Sequence, residues 1–452
     1  MKSWTLFLIL FLLIGAFVGY AYLTTKKAKQ ENKKTWLMKF WEKPSVKSIA
    51  SSLTSIIFGL VIGCIILFVV GLVPTKGMTI TAGTIADGIE LVFFGFMNIG
   101  KESSELLFGF NGTSIGNILF KAMPLIMTGL SVALAFKTGL FNIGTPGQYL
   151  CSTAVTLILA LSIPTEVVPP FLVWIIAFLG GMLAGALAGV IPGVFKAYLN
   201  VNEVITCIMM NWISANLVTM LFDKNTGPFK HLLDPSGTKN FAYVFKTTEN
   251  GVATAKLGLD KIFEGSQVNA GIIIAIIIAI VVYIILNKTT FGYQLKACGS
   301  NKHAAKYAGI SENRNIIFSM AIAGALAGAG ASLYYLSGNT EFAWETYQTL
   351  PAAGFNGIPV ALLACNNPIG VIFSASFISL LDVNGMQIKY MTSYNEQITS
   401  IITAIIVYFS AFSLLFRQVY EGKIKINLKG IFQKNKKATV ETVTDKVEKE
   451  DK

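Results

Sequence analysis

Long apolar runs separated by short polar ones dominate the chain, and most are long enough to cross a bilayer. A hydrocarbon core of roughly 30 Å needs about twenty apolar residues in helical conformation. Residues 4–23, 53–73, 117–137, 147–161, 171–195, 204–222, 271–286, 316–336 and 398–416 are the runs that approach this length. Two further pieces, 351–364 and 368–381, are short for single crossings and predict a paired or re-entrant element. The pattern predicts an all-α polytopic membrane protein of about ten or eleven transmembrane helices, some of them interrupted. Residues 75–116 are Gly-rich and mixed; no span is assigned there, and an amphipathic run at 85–97 predicts a helix on the outer surface.

The polar runs orient these spans. Residues 24–50 hold eight lysines against Glu31 and Glu42, 288–314 hold five basic residues against Glu312, and 417–437 hold seven against Glu421. Basic loops stay in the cytoplasm, and the parity of crossings puts these three on one side and 223–267 on the other. Only Lys2 precedes the first apolar run, no small-residue cleavage site follows it, and a basic stretch comes next. It therefore reads as a retained span with its N-terminus outside rather than as a signal peptide. The expected organisation is 1–50 as an extra transmembrane helix with a basic cytoplasmic linker and 51–420 as the main membrane domain. A basic, then disordered cytoplasmic tail at 421–452 follows.

Composition agrees with the membrane reading: 53% of residues are hydrophobic and 13% charged, against about 25% charged in an average soluble domain. A net charge of +12 raises nucleic-acid binding, but the basic residues gather beside the spans, where topology accounts for them. Cys64, Cys151, Cys207, Cys298 and Cys365 form no CxxC pair and there are two histidines, so neither a disulfide framework nor a metal site is expected. Residues 95–102, GFMNIGKE, nearly match a phosphate-binding loop. Glu102 stands where the magnesium-ligating hydroxyl belongs, and no strand–turn–helix context surrounds it. The chain is expected to carry no catalytic residues and no ATPase of its own.

Two stretches stand out as candidate chemistry: 138–148, TGLFNIGTPGQ, and 353–361, AGFNGIPVA. Each sets Phe-Asn among Gly, Ile and Pro, which predicts an interrupted helix, and such paired interruptions point to a transport site near the bilayer midplane. Asn142, Gln148, Asn211 and Asn356, with Asn202 and Glu203 nearer a loop, are polar residues in or beside spans. Each reads equally as an interhelical hydrogen bond or a loop end. If they do face a pathway, their amides suit hydroxyls and base edges, and Phe141 and Phe355 suit stacking. Glycines at 181, 185, 189 and 193, and at 324 and 328, predict close helix packing. Within the polar loop at 290–311, Ser300 is a candidate N-cap, 301–308 reads as two helical turns and Gly309 fits a left-handed C-terminal cap. Lys302 and Lys306 share one side of that helix, and Ala304, Tyr307 and Ala308 form another that can dock into a groove. An ordinary basic loop is the alternative.

The wording of several stretches resembles the permease subunits of bacterial ABC importers for nucleosides and related sugars. In the loop it is Phe291-Gly292, Leu295-Lys296-Ala297, Gly299, Asn301, Ala304-Ala305 and Tyr307-Ala308-Gly309-Ile310. Elsewhere it is PLIMTG at 124–129, AFKTGLFNIG at 135–144 with Gly147 and Gln148, VNEVI at 201–205 with Asn211, and GFNGI at 354–358 with VALL at 360–363. The resemblance covers about 117–416 in order. It implies a type II-like importer permease in the plasma membrane, a heterodimeric second permease, a cytosolic ABC ATPase that holds ATP and magnesium, an external substrate-binding lipoprotein and a nucleoside as cargo. It also implies that Gly299, Asn301, Ala304, Ala305, Tyr307 and Gly309 belong to a helix coupling ATPase closure to the membrane. Pro146 departs from the family's usual acidic residue, and Ala364 and Cys365 depart after the VALL run. The 4–23 span lies outside the resemblance, and the 223–267 loop is longer than expected. A ribose or other sugar permease is the nearest alternative. An ion-coupled secondary transporter needs a membrane-centred carboxylate, whereas Lys121, Glu203 and Asp382 lie near the ends expected for their spans.

Overall fold

The computed structural model describes residues 44–72, 82–102, 105–238, 240–394 and 412–421, together with Lys39, Glu42, Ser400, Ile401, Ala404, Ile405, Tyr408 and Phe409. The expected span at 4–23, nearly all of the basic run before Pro44, much of the 398–416 span and the tail from 422 lie outside the described residues.

The described chain opens on α1 (Pro44–Leu72) and α2 (Ala82–Phe94), then a hairpin of β1 (Asn98–Glu102) and β2 (Glu105–Phe108). Four long helices follow: α3 (Gly112–Lys137), α4 (Thr145–Ser162), α5 (Pro170–Leu199) and α6 (Glu203–Leu221). A polar stretch carries β3 (Phe241–Val244) and the one-turn α7 (Leu259–Ile262). Next come α8 (Gly271–Lys288), α9 (Thr290–Ser300), α10 (Lys302–Tyr307) and α11 (Glu312–Tyr335). β4 (Phe342–Glu345), α12 (Ala352–Leu363), α13 (Pro368–Met391) and α14 (Ser413–Tyr420) complete the described chain. Among the described residues, seven helices are long and apolar enough to cross a bilayer.

Asparagine starts many of these helices. The side chains of Asn111, Asn202, Asn301 and Asn367 accept from the backbone N–H of Ser114, Val204, Ala304 and Ile369 at 2.9–3.0 Å. Each satisfies a donor that the first helical turn leaves unpaired. The central helix is α3, 89% buried over its membrane window, with α11 next at 72%; α1, α5 and α6 are each 28% buried and form the periphery. Side chains of α3, α8, α11, α12 and α13 share one apolar core. On its other side α11 crosses α5 through glycines: a Cβ on Gly185 would overlap the Gly324 carbonyl, and one on Gly328 would overlap that of Gly181. The small-residue stripes are a backbone-to-backbone seam, as their spacing predicts.

Several expectations change. The run at 368–381 is not a short re-entrant piece: α13 continues to Met391, because Asp382 is paired with Lys121 at 2.9 Å and its charge does not end the helix. The partner piece stays short, since the 12 residues of α12 rise only about 18 Å. The 353–361 stretch is not interrupted; it lies wholly within α12, where Pro359 omits one backbone donor without breaking the helix. The 75–116 region holds the helix expected of its amphipathic run, over 82–94, though with Gly88, Leu91 and Val92 buried rather than on the surface. Its helix α2 is anchored by Asn384, whose amide donates to the Val92 carbonyl at 2.9 Å, and 98–102 of the near phosphate-loop stretch is strand β1. The N-cap of α10 is Asn301, not Ser300, which ends a further helix, α9. In the long 223–267 stretch, β3 pairs antiparallel with β4 and Lys246 meets Glu341 at 3.1 Å, so it folds as one cap with 337–350. Asp223 there accepts from the backbone N–H of Thr226 and Asn225, which hold its carboxyl below the usual range.

Candidate functional site

The break between α3 and α4 organises the site. After Lys137 the chain turns at Gly139, whose φ of +73° suits glycine, and re-enters the bundle to begin α4 at Thr145. Re-entry exposes backbone groups at depth, and side-chain amides take them up. Asn142 is fully buried: its amide nitrogen donates to Gln148 Oε1 at 2.9 Å and Ser131 Oγ at 3.2 Å. Its carbonyl oxygen accepts from Gly144 N at 3.1 Å and Gln148 Nε2 at 3.2 Å. From α6, Asn211 accepts from Gly147 N at 2.9 Å and donates to the Ile143 carbonyl at 3.0 Å. These three amides form a buried clamp that fixes the turn and joins it to α6.

On the other flank lies α12. A Cβ on Gly354 would overlap Pro146, and one on Gly357 would meet Thr128 of α3 at 2.7–2.8 Å. The two Phe-Asn stretches, far apart in sequence, thus touch in space. Phe355 is 40% exposed and Asn356 half-buried, and among the described residues no group hydrogen-bonds the Asn356 side chain. Phe141 packs against Phe136, ring centroids 5.1 Å apart. Of the six candidate pathway residues, Asn142, Gln148 and Asn211 come together; Phe355 and Asn356 lie on the neighbouring helix, the Asn356 amide unpaired among the described residues.

At the basic end of the bundle, α9 touches this same turn. A Cβ on Gly299 would stand 2.5 Å from the Lys137 carbonyl oxygen, 2.7 Å from Thr138 C and 2.8 Å from Gly139 N. Two backbones meet there without side chains between them. Asn315 donates to Cys298 Sγ at 3.5 Å, Thr138 and Ser319 share a hydroxyl contact, and burial pushes the Cys298 thiol up. A cavity of about 420 Å³ opens beside the contact, between Thr138, Lys196, Asn301 and Glu312. Beyond it α10 projects outward: Ala305 is 4% exposed, whereas Lys302, His303, Ala304, Lys306 and Tyr307 are exposed, Tyr307 at 93%. Gly309 closes α10 at φ +78°. Motif reading singled out Gly299 and the amides, but not that Gly139 seats Gly299 or that Pro146 seats Gly354. The glycines in both stretches were the available signal.

Asn211→Leu is expected to strand the Gly147 N–H and the Ile143 carbonyl. Hydrogen bonds between membrane helices average about 0.6 kcal/mol each, so the loss should be about 1–2 kcal/mol. A lowered melting temperature in detergent would register it; an unchanged one would show that the clamp contributes nothing.

Residues 114–411 match the family described as branched-chain amino acid transport system / permease component. The chain is 34% identical to the nucleoside ABC transporter permease protein NupB of Lactococcus lactis subsp. cremoris over 74% of its length and 89% of the relative. It is 32% identical to the guanosine ABC transporter permease protein NupP of Bacillus subtilis, over 77% of its length and 95% of the relative. With the glucose ABC transporter permease protein TsgB13 of Haloferax volcanii it shares 28% identity, over 77% and 89%. A second Nup permease from each of the first two bacteria also matches, at 31% and 25%.

Proposed function

Because the chain belongs to this family of ABC transport permeases, and so is a transport subunit rather than an enzyme, we propose that it carries nucleosides inward through a bacterial plasma membrane. Two features support nucleosides over sugars: the higher identity to the nucleoside and guanosine permeases, and the half-exposed Phe355 and Asn356 beside the re-entrant turn. ATP and magnesium act on a separate ATPase, which docks on α10. Basic runs beside α9, α10 and α14 favour the cytoplasm for that end, with the β3–β4 cap outside, where a substrate-binding lipoprotein would approach. Pairing with a second, different permease fits the two Nup permeases matched in each of two bacteria.

The observation that carries this reading is the backbone contact of Gly299 with the turn before α4. Closure of the ATPases would draw on α10 and α9, and that contact passes the displacement directly to the turn at 138–144. From there the amide clamp passes it to α6, and Pro146 passes it to α12. Such a chain needs no proton or covalent step; its work is to change which side of the cavity is open. The test is uptake of radiolabelled guanosine, uridine and ribose by vesicles with and without this subunit, driven by ATP or by an imposed ion gradient. ATP-dependent nucleoside uptake that survives an uncoupler is expected. Uptake that follows the ion gradient would overturn the reading, and uptake of ribose alone would move the cargo to sugars.

A further inference from the structure

The outward face of α6 differs from those of α5 and α8. On α5, Leu172, Ile176, Leu179, Leu183, Leu187 and Ile191 are exposed, and the exposed positions within α8 up to Ile284 are isoleucine and valine. Such faces suit lipid tails. On α6 exposed aliphatics such as Ile205, Ile213 and Leu217 are interspersed with Met209, Trp212, Asn216 and Met220. Trp212 is the middle residue of Glu203–Leu221, about 13 Å from either end, and is 57% exposed. Tryptophan favours the bilayer interface, where its N–H is wetted. The indoles of Trp174 and Trp344 donate to Thr254 Oγ1 and the Thr219 carbonyl, but among the described residues nothing accepts from Trp212. One turn on, Asn216 uses one N–H on the Trp212 carbonyl at 2.9 Å, and among the described residues nothing donates to its oxygen. An amide and an indole with spare hydrogen-bonding capacity at mid-span are costly in hydrocarbon.

We propose that this face of α6 is the subunit's wall of the translocation path, with Trp212 stacking on the nucleobase and Asn216 bonding its polar edge. The proposal rests on the nucleoside reading above. Two further observations place the wall beside the re-entrant turn. Asn211, next to Trp212 in sequence, holds the Gly147 N–H from the buried side of α6. Gly354 of α12 packs on Pro146, so α6 and α12 flank the same first turn of α4. Phe355 and Asn356 then supply aromatic and amide groups on the other flank. A shift of the turn would therefore change both flanks together.

The test uses the assembled transporter. Trp212→Leu should raise the KM of guanosine uptake about tenfold, the size of one lost base–aromatic stack, while Trp212→Phe should stay near the unaltered value. In nanodiscs, the fluorescence lost on Trp212→Phe should be quenched by acrylamide and by guanosine, and not by lipids with brominated acyl chains. Quenching by brominated lipid would overturn the proposal by assigning Trp212 to the bilayer. Exclusion of both quenchers with an unchanged KM in Trp212→Leu would overturn it by assigning the face to protein contact. If the unaltered complex takes up no nucleoside at all, the cargo reading fails instead, and that result appears before any variant is made.

Discussion

Gly299→Leu should uncouple the transporter. In the assembled complex, ATP-driven uptake is expected to fall by about 10- to 100-fold, the range of coupling energies between distant sites, while the subunit still inserts. The added side chain has no space: its first carbon would meet Lys137, Thr138 and Gly139 backbone atoms at 2.5–2.8 Å, and no rotamer change relieves a backbone contact. The α9 end must back away from the turn, and a displacement passed from α10, as proposed, would be lost in the gap. Ala304→Arg provides the comparison. That position is exposed on α10 and already carries a Cβ, so the change should disturb ATPase docking and leave the Gly299 seat intact. Measuring uptake, stimulated ATP hydrolysis and co-purification of the ATPase separates the two. Gly299→Leu should keep the ATPase bound and lose uptake; Ala304→Arg should weaken the binding itself. Full uptake by Gly299→Leu would remove the contact from the coupling route.

Gly185→Ala should be among the most damaging single methyls in the bundle. It would drive a carbon into the Gly324 carbonyl across the α5–α11 seam and crowd Ser152 Oγ at 2.7 Å, so two helix backbones must separate. Overpacking typically costs 1–3 kcal/mol, and a site without a movable side chain should reach about 3 kcal/mol, enough to deplete the subunit from membranes. Gly180→Ala, five residues earlier on the same helix, is the control. Its new methyl meets the end of the Leu159 side chain, which can swing aside. Melting temperatures in detergent and membrane levels should fall for Gly185→Ala and stay near normal for Gly180→Ala. Equal behaviour of the two would show that the seam tolerates separation.

The class of this protein was legible because hydrophobic run length and Lys/Arg placement are one-dimensional signals set by the bilayer. The glycine seam was legible too, since a spacing of four lays residues along one helix face. Three-dimensional pairing was not. Asp382 reads as a span terminus in sequence, because nothing there announces Lys121, 261 positions away, as its partner. Residues 353–361 look like an interrupted helix, since Gly and Pro signal breaks locally; in the fold those glycines serve close approach to Pro146 and Thr128. The amides at 142, 148 and 211 stood out as polar residues in apolar surroundings. That Asn142 and Gln148 bond each other while Asn211 holds the backbone of 143 and 147 depends on the exact return of the turn, which no local pattern encodes. Trp212 drew no notice because an aromatic in an apolar run is unremarkable until its exposure is known.

Of the six residues of α10, Ala305 alone is buried. Apart from Ala305 and the Lys302–Glu312 pair at 3.8 Å, the side chains of this helix stand exposed, and their positions are free to vary without disturbing the bundle. If α10 is where the ATPase docks, pairing with a different motor would require changing a handful of surface residues and nothing beneath them.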